Sequence, residues 1–237
     1  MPGAAAAVLL LTPYGVAHFG ATSSVAPIAS IRTPAAKADK RASRRADFLE
    51  ASPSAGARAV ADWIADSADN EQHAFAVLDK RGARLYVFER NATLLGPTMV
   101  LLGSATGDDT SAGVGDKPLA QIRPEERTTA AGRFVSEPGH DAHGDDVVWV
   151  DYDAAIAMHR VKVVDPRERR FERIATPSAD DKRISNGCIN VPIAFFDAVV
   201  KPALGASHAI VYVLPEVKRI AEVFANFYEV DSLRAGR

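Results

Sequence analysis

Residues 184–190 read Ile-Ser-Asn-Gly-Cys-Ile-Asn, and Cys188 is the only cysteine in the 237 residues. A lone cysteine cannot close an internal disulfide, so it is a small buried hydrophobe, a link to another chain or a reactive thiol. Ser185, Asn186 and Gly187 are turn-forming residues, and an apolar run begins at Ile189. A tight turn meeting an apolar strand can present the thiol to a substrate, which favours the reactive role. Thiols attack as thiolates, so Cys188 needs a base brought close by the fold. Six histidines are available. His18 lies near the start of the chain, and His73 and His208 sit at the edges of apolar runs. His140 and His143 fall in a Gly- and Asp-rich stretch that reads as a solvated loop more readily than as a metal site. His159 follows the apolar run Ala155–Met158 and precedes Arg160, where a core strand can hold it at the rim of a cleft.

The rest of the chain must position this pair. A net charge of −2 gives no electrostatic footprint for nucleic acid. One cysteine rules out a Cys-based zinc site, and no Walker-type phosphate loop occurs. Residues 1–30 carry no charged side chain, and Ala4–Leu11 form a short apolar core followed by small residues. This is the pattern of a secretory signal peptide lacking its usual basic start, or of a disordered Ala-rich leader. The segment is too short to span a bilayer, so no transmembrane span is expected in the mature chain.

Residues 31–56, which mix Ala, Ser and Pro with Lys37, Lys40, Arg41, Arg44 and Arg45, read as a solvated linker. A short helix is expected over 57–72, with Val60, Trp63, Ile64 and Ser67 on one face. A hairpin follows, His73–Leu78 and Arg84–Phe88 around Asp79-Lys-Arg-Gly82. Further strands are predicted at Thr98–Leu102, Val147–Val150, Ala155–Val161 and Ala209–Leu214, with a long loop over 103–131. Pro192 is placed to start a helix with Ile193, Phe196, Ala198 and Val199 on its buried side. Val217, Ile220, Ala221, Phe224 and Phe227 predict a C-terminal helix over 216–237. The expected fold class is mainly β with peripheral helices, an α+β arrangement.

A strand-borne Met-His followed downstream by Ser185-Asn-Gly-Cys-Ile-Asn190 resembles the YkuD-type L,D-transpeptidases, bacterial cell-wall enzymes. Their motif is a His, a variable stretch, then Ser/Thr-His-Gly-Cys-hydrophobic-Asn or -Arg. Phe75–Asp79 with Arg84–Phe88 is similar to that domain's opening hairpin. Thr128–Phe134 resembles its Thr-Pro-x-Gly-x-Phe segment, with Ala130 in place of Pro, and Ala209–Leu214 resembles its closing strand. The resemblance covers residues 73–215 and implies a YkuD-like β-sandwich catalytic domain.

Carried over, it makes Cys188 the nucleophile that takes an acyl group as a thioester, and His159 the general base. The carbonyl of Arg160 would orient the ring. N–H groups of Gly187 and Cys188, with Asn186, would meet the oxyanion. Ser185 and Asn190 would shape the turn, and Asn190 would also lie near substrate. Arg160 and Arg183 flank the two segments, and either one is placed to pair with the carboxylates of a stem peptide. The implied partner is the peptidoglycan stem peptide, with no metal or organic cofactor, and the implied setting is periplasmic or otherwise exported and cell-wall associated. Water as acceptor would make the same site an L,D-carboxypeptidase, and a non-catalytic wall-binding protein is a further alternative. The chain departs from the family in two places. Asn186 stands where His is common and cannot act as a base at neutral pH, which leaves His159 alone in that role. The stretch from His159 to Ser185 is long and charged, either a solvated loop or a lid.

Overall fold

The computed structural model describes residues 44–231; the leader over 1–30 and the first half of the linker lie outside the described residues. Ten strands and a few short helices make the fold mostly β. Helix α1 (Ala55–Ser67) starts where the Ser54 side chain accepts from the Ala57 N–H, and it stops at Ala68 in the left-handed region. Strands β1 (Phe75–Asp79) and β2 (Arg84–Phe88) form the expected hairpin, with Phe75 opposite Phe88 and Asp79 opposite Arg84. In its turn the Gly82 N–H donates to Asp79 Oδ1 at 3.1 Å. Strands β3 (Leu94–Met99) and β4 (Leu102–Gly103) share the stretch where one strand was expected.

Strand β5 (Gly132–His140) has no counterpart in the sequence reading. It carries Gly132, Pro138 and Gly139 and shows little alternation, yet it joins the two halves of the sheet. Its residues 132–136 pair with β10 (Ala209–Val213), and residues 137–140 pair with β6 (Asp146–Asp151). Long-range pairing overrides local propensity here. Strands β7 (Ile156–Arg160), β8 (Arg183–Ser185) and β9 (Ile189–Val191) complete the set. The main sheet runs β3-β2-β1-β10-β5-β6-β7-β9, and β4 pairs with β8 in a small second sheet. Two of the main pairings are parallel, β1 with β10 and β7 with β9.

Strict alternation gives the central strands two buried faces. Phe75, Val77, Tyr86, Phe88, Ile210 and Tyr212 pack on Val60, Trp63 and Ile64 of α1. Leu78, Val87 and Val211 on the opposite face share one cluster with Val148, Met158 and Ile189 from the other half of the sheet. Both halves therefore close over a common core, as in a sandwich.

Three stretches differ from the sequence expectation. The end of the linker is docked: Ala46 and Phe48 are buried, and Asp47 exchanges backbone hydrogen bonds with Ala92 and Leu94. Phe48 meets Tyr86 and Phe88 edge-on, which gives this polar stretch a reason to pack. The C-terminal helix shrinks to α5 (Ile220–Val223), after which Phe224 and Val230 are buried against the α1 cluster. The helix after Pro192 runs as α3 (Ile193–Phe195), a π turn (Phe196–Val200) and α4 (Lys201–Leu204). Pro202 lacks the N–H that an α-helix would direct to the Ala198 carbonyl, and the wide turn precedes it. The changed pitch puts Phe196, Val200 and Leu204 in the core and leaves Ile193 and Ala198 exposed. Among the described residues no helix is long and apolar enough to cross a membrane.

Candidate active site

The parallel pair β7–β9 builds the site. Met158 lies opposite Ile189, and His159 opposite Asn190. Met158 and Ile189 point into the core. Alternation then sends His159, Asn190 and Cys188, two residues before Asn190, to the other face. Cys188 immediately precedes β9, so it lies diagonally across from His159 of the neighbouring strand.

His159 is half-buried, and its Nδ1 lies 2.8 Å from the carbonyl oxygen of Arg160. A donating Nδ1–H leaves Nε2 unprotonated, the tautomer a base requires. Burial is the main cause that pushes the ring below the usual histidine range; Lys162 and Arg170 add to it, while the Arg160 carbonyl opposes it. His159 is thus neutral at physiological pH. Burial likewise pushes the Cys188 thiol up, against smaller opposing effects of the Ala157 backbone and Arg170. The resting pair is therefore thiol and imidazole, not thiolate and imidazolium. The thiol of Cys188, half-buried, donates to the carbonyl of Ala155 at 3.6 Å, and no hydrogen bond joins it to His159 among the described residues. Attack requires the thiol to swing from that carbonyl toward the ring, a rearrangement of one side chain.

The turn before Cys188 is held by side chains. Ser185 Oγ donates to the Cys188 carbonyl at 2.6 Å and accepts from the Gly187 N–H at 3.1 Å. The Gly187 N–H is thereby committed within the turn, while the Cys188 N–H has no acceptor among the described residues. The half-buried Asn186 side chain likewise makes no hydrogen bond among them. These two groups are the donors left over for an oxyanion. Gly187 has φ +129°, and a Cβ there would stand 2.5 Å from Ile156 Cδ1 and 2.9 Å from the Thr128 oxygen. Only glycine fits.

The structure brings together Cys188, His159, Ser185, Asn186, Gly187 and the Arg160 carbonyl. The remaining sequence-predicted groups are held by partners within the protein. The Arg160 guanidinium donates to Asp197 at 2.8 Å and stacks over Phe196 at 4.6 Å. Arg183 is bound to Glu216 and to the Lys80 carbonyl. Asn190 is fully buried and donates to the Cys188 carbonyl at 3.2 Å. His140 ends β5 and lies 3.4 Å from Asp146, and His143 sits exposed beyond it.

Two contributors escaped the sequence reading. Thr129 Oγ1 donates to the Gly187 carbonyl at 2.7 Å and accepts from the Gly103 N–H at 3.0 Å. Its segment was recognisable, but which of Thr128 and Thr129 turns inward was not. Arg170 donates to Asn190 Oδ1 at 2.9 Å, from the middle of a charged stretch where nothing marks one arginine above the others.

No protein-family model matches the chain, and no curated protein matches it in sequence. Several solved structures are similar over part of it, among them two of L,D-transpeptidases. One is the L,D-transpeptidase (residues 123–326) of Xylanimonas cellulosilytica, 14% identical over 60% of this chain and 60% of that one, with a TM-score of 0.37. The other is the catalytic domain of the E. faecium L,D-transpeptidase, 15% identical over 60% of this chain and 98% of that one, with a TM-score of 0.35. At such values the chemistry has to be read from this chain's own geometry.

Proposed function

We propose that the chain is a cysteine acyltransferase acting on peptidoglycan stem peptides, an L,D-transpeptidase in reaction type. The observation that carries the reading is the lone thiol of Cys188 on one sheet face with His159, whose Nδ1 is occupied by a backbone carbonyl. His159 Nε2 removes the thiol proton, and the sulfur attacks the carbonyl between the third and fourth residues of a donor stem. The Cys188 N–H and the Asn186 side chain receive the oxyanion. The imidazolium returns its proton to the amine of the leaving D-residue, and a thioester remains on Cys188. His159 then deprotonates the amine of a second stem, which attacks the thioester and frees the thiol. Such a substrate places the mature protein outside the cytoplasmic membrane, in keeping with the leader-like residues 1–30.

Carbapenem labelling tests the reading. Intact-protein mass spectrometry should show one covalent adduct, mapped to Cys188 by peptide analysis and absent from Cys188→Ala. A folded wild-type protein that stays unmodified at millimolar drug would sink the assignment. Muropeptides from the active protein should contain new 3–3 cross-links; tripeptides alone would mean that water is the acceptor.

A further inference from the structure

Residues 162–184, between the two halves of the proposed site, form a small folded unit. It contains a 3₁₀ turn (Pro166–Glu168), helix α2 (Arg170–Ala175) and a second 3₁₀ turn (Asp180–Lys182). The unit closes on itself. Lys182, fully buried, donates to the carbonyls of Arg173 and Thr176, and Arg173 donates to the carbonyls of Glu168 and Asp181. Ile174 anchors it in a cluster with Leu101 and Val161. Closure of that kind exceeds what a solvated loop needs.

One side chain of the unit reaches inward. Arg170 is buried, with Nε on Glu168 at 2.6 Å and Nη1 on Asn190 Oδ1 at 2.9 Å. Asn190 in turn donates to the Cys188 carbonyl. A continuous chain of hydrogen bonds thus runs from the unit to the backbone of the nucleophile. The charged groups acting on the Cys188–His159 pair are Arg170 from α2, Lys162 beyond β7 and Asp141 from the β5–β6 turn. Lys162 is ion-paired with two carboxylates, Asp141 at 2.7 Å and Asp145 at 2.6 Å, and Arg170 with one, Glu168 at 2.6 Å. Of the two, Arg170 is the cation tied by hydrogen bonds to the Cys188 backbone.

We propose that the 162–184 unit serves to hold Arg170 behind the Cys188–Asn190 turn, making it a positioning residue that fixes the nucleophile through Asn190. The proposal rests on Cys188 being the nucleophile, but not on the identity of the acyl donor. A buried cation joined through one side chain to the Cys188 backbone lowers the pH at which a thiolate forms, and the hydrogen bond through Asn190 keeps the turn from drifting.

Alkylation of Cys188 by iodoacetamide, followed against pH, tests it without any cell-wall substrate. Arg170→Met should move the midpoint of the rate profile up by about one pH unit and slow labelling at neutral pH about tenfold, with the high-pH limit unchanged. Arg170→Lys should restore most of the midpoint. A folded Arg170→Met protein with the wild-type midpoint overturns the proposal. If that variant does not fold, Glu168→Gln decides: loss of the counter-charge should lower the midpoint, and an unchanged midpoint rejects the idea. A wild-type protein whose Cys188 alkylates but takes no carbapenem counts against stem-peptide transfer and leaves the role of Arg170 standing.

Discussion

His159 and Cys188 are each shifted by burial toward the neutral form, and that decides how the pair must work. A thiol raised above its ordinary range is not a standing thiolate, so activation waits for the base. Asn186 cannot supply a second base. A nearly silent His159 substitution is therefore the opposite of what this arrangement requires. His159→Ala should slow acylation by on the order of 10²–10⁴-fold, measured by stopped-flow carbapenem acylation of folded protein. A variant within a few-fold of wild type would show that another group takes the proton. The pH profile gives a second check. With its folded pKa below the ordinary 6.5, the ring stays neutral as pH falls through 6.5, so the acid limb of the rate should lie below that value. The same shift has a sign for stability. Below pH 6.5 the unfolded chain takes up the proton first, so the contribution of this group is complete above 6.5 and declines as pH falls to the folded pKa.

At the scale of elements, the turn from β8 to β9 does the positioning. It is fixed from three sides, by Ser185 within the turn, Thr129 from the loop before β5, and Asn190 with Arg170. Gly187 is the point where nothing larger fits. Gly187→Ala places its methyl against Ile156 and the Thr128 carbonyl, at a φ that non-glycine residues rarely adopt. The expected result is a loss of about 1–3 kcal/mol of stability, read by thermal or urea unfolding, with Cys188 labelling impaired beyond what the stability loss explains. Wild-type labelling and stability together would show that the turn relaxes freely. The turn residues were legible as turn formers from sequence. The supports from Thr129 and Arg170 were not, because each comes from a segment distant in the chain whose partner only the fold selects.

Across the whole molecule, a buried ionic network ties the sheet to the site. Lys80, at the β1–β2 turn, is fully buried and donates to Asp108 Oδ1 at 2.8 Å and to the Thr129 carbonyl at 2.9 Å. Asp108 also accepts the N–H groups of Glu216, Val217 and Lys218. Burial alone would raise the Asp108 carboxyl, but Lys80 and those N–H groups hold it well below the usual carboxylate range. Glu216 pairs with Arg183 on β8, so the network spans the opening hairpin, the loop over 103–131 and the segment after β10. Lys80→Met should cost about 3–5 kcal/mol, because it strands a buried carboxylate. Chemical denaturation measures this, and a loss under 1 kcal/mol would show that the network contributes little. The sequence marked Asp79–Gly82 as a plain hairpin turn, and nothing local distinguishes a lysine that will be buried from one that will be solvated.

By itself the sequence marked the candidate centre. A single cysteine in a Ser-Asn-Gly-Cys turn, and a histidine ending an apolar strand, are local patterns, as are the α1 stripe and the β1–β2 hairpin. Local chemistry and the helical or strand periodicity of a short window suffice to read them. The tertiary structure decided that β7 and β9 are parallel neighbours in the register that puts His159 and Cys188 on one face. It decided that irregular β5 joins the halves of the sheet, that Pro202 rotates the buried face of its helix, and that one arginine of a charged insertion reaches Asn190. Each of these depends on pairing between segments far apart in the chain. Its free energy comes from burial and hydrogen bonds that exist only once the chain is folded, so no window of residues carries it.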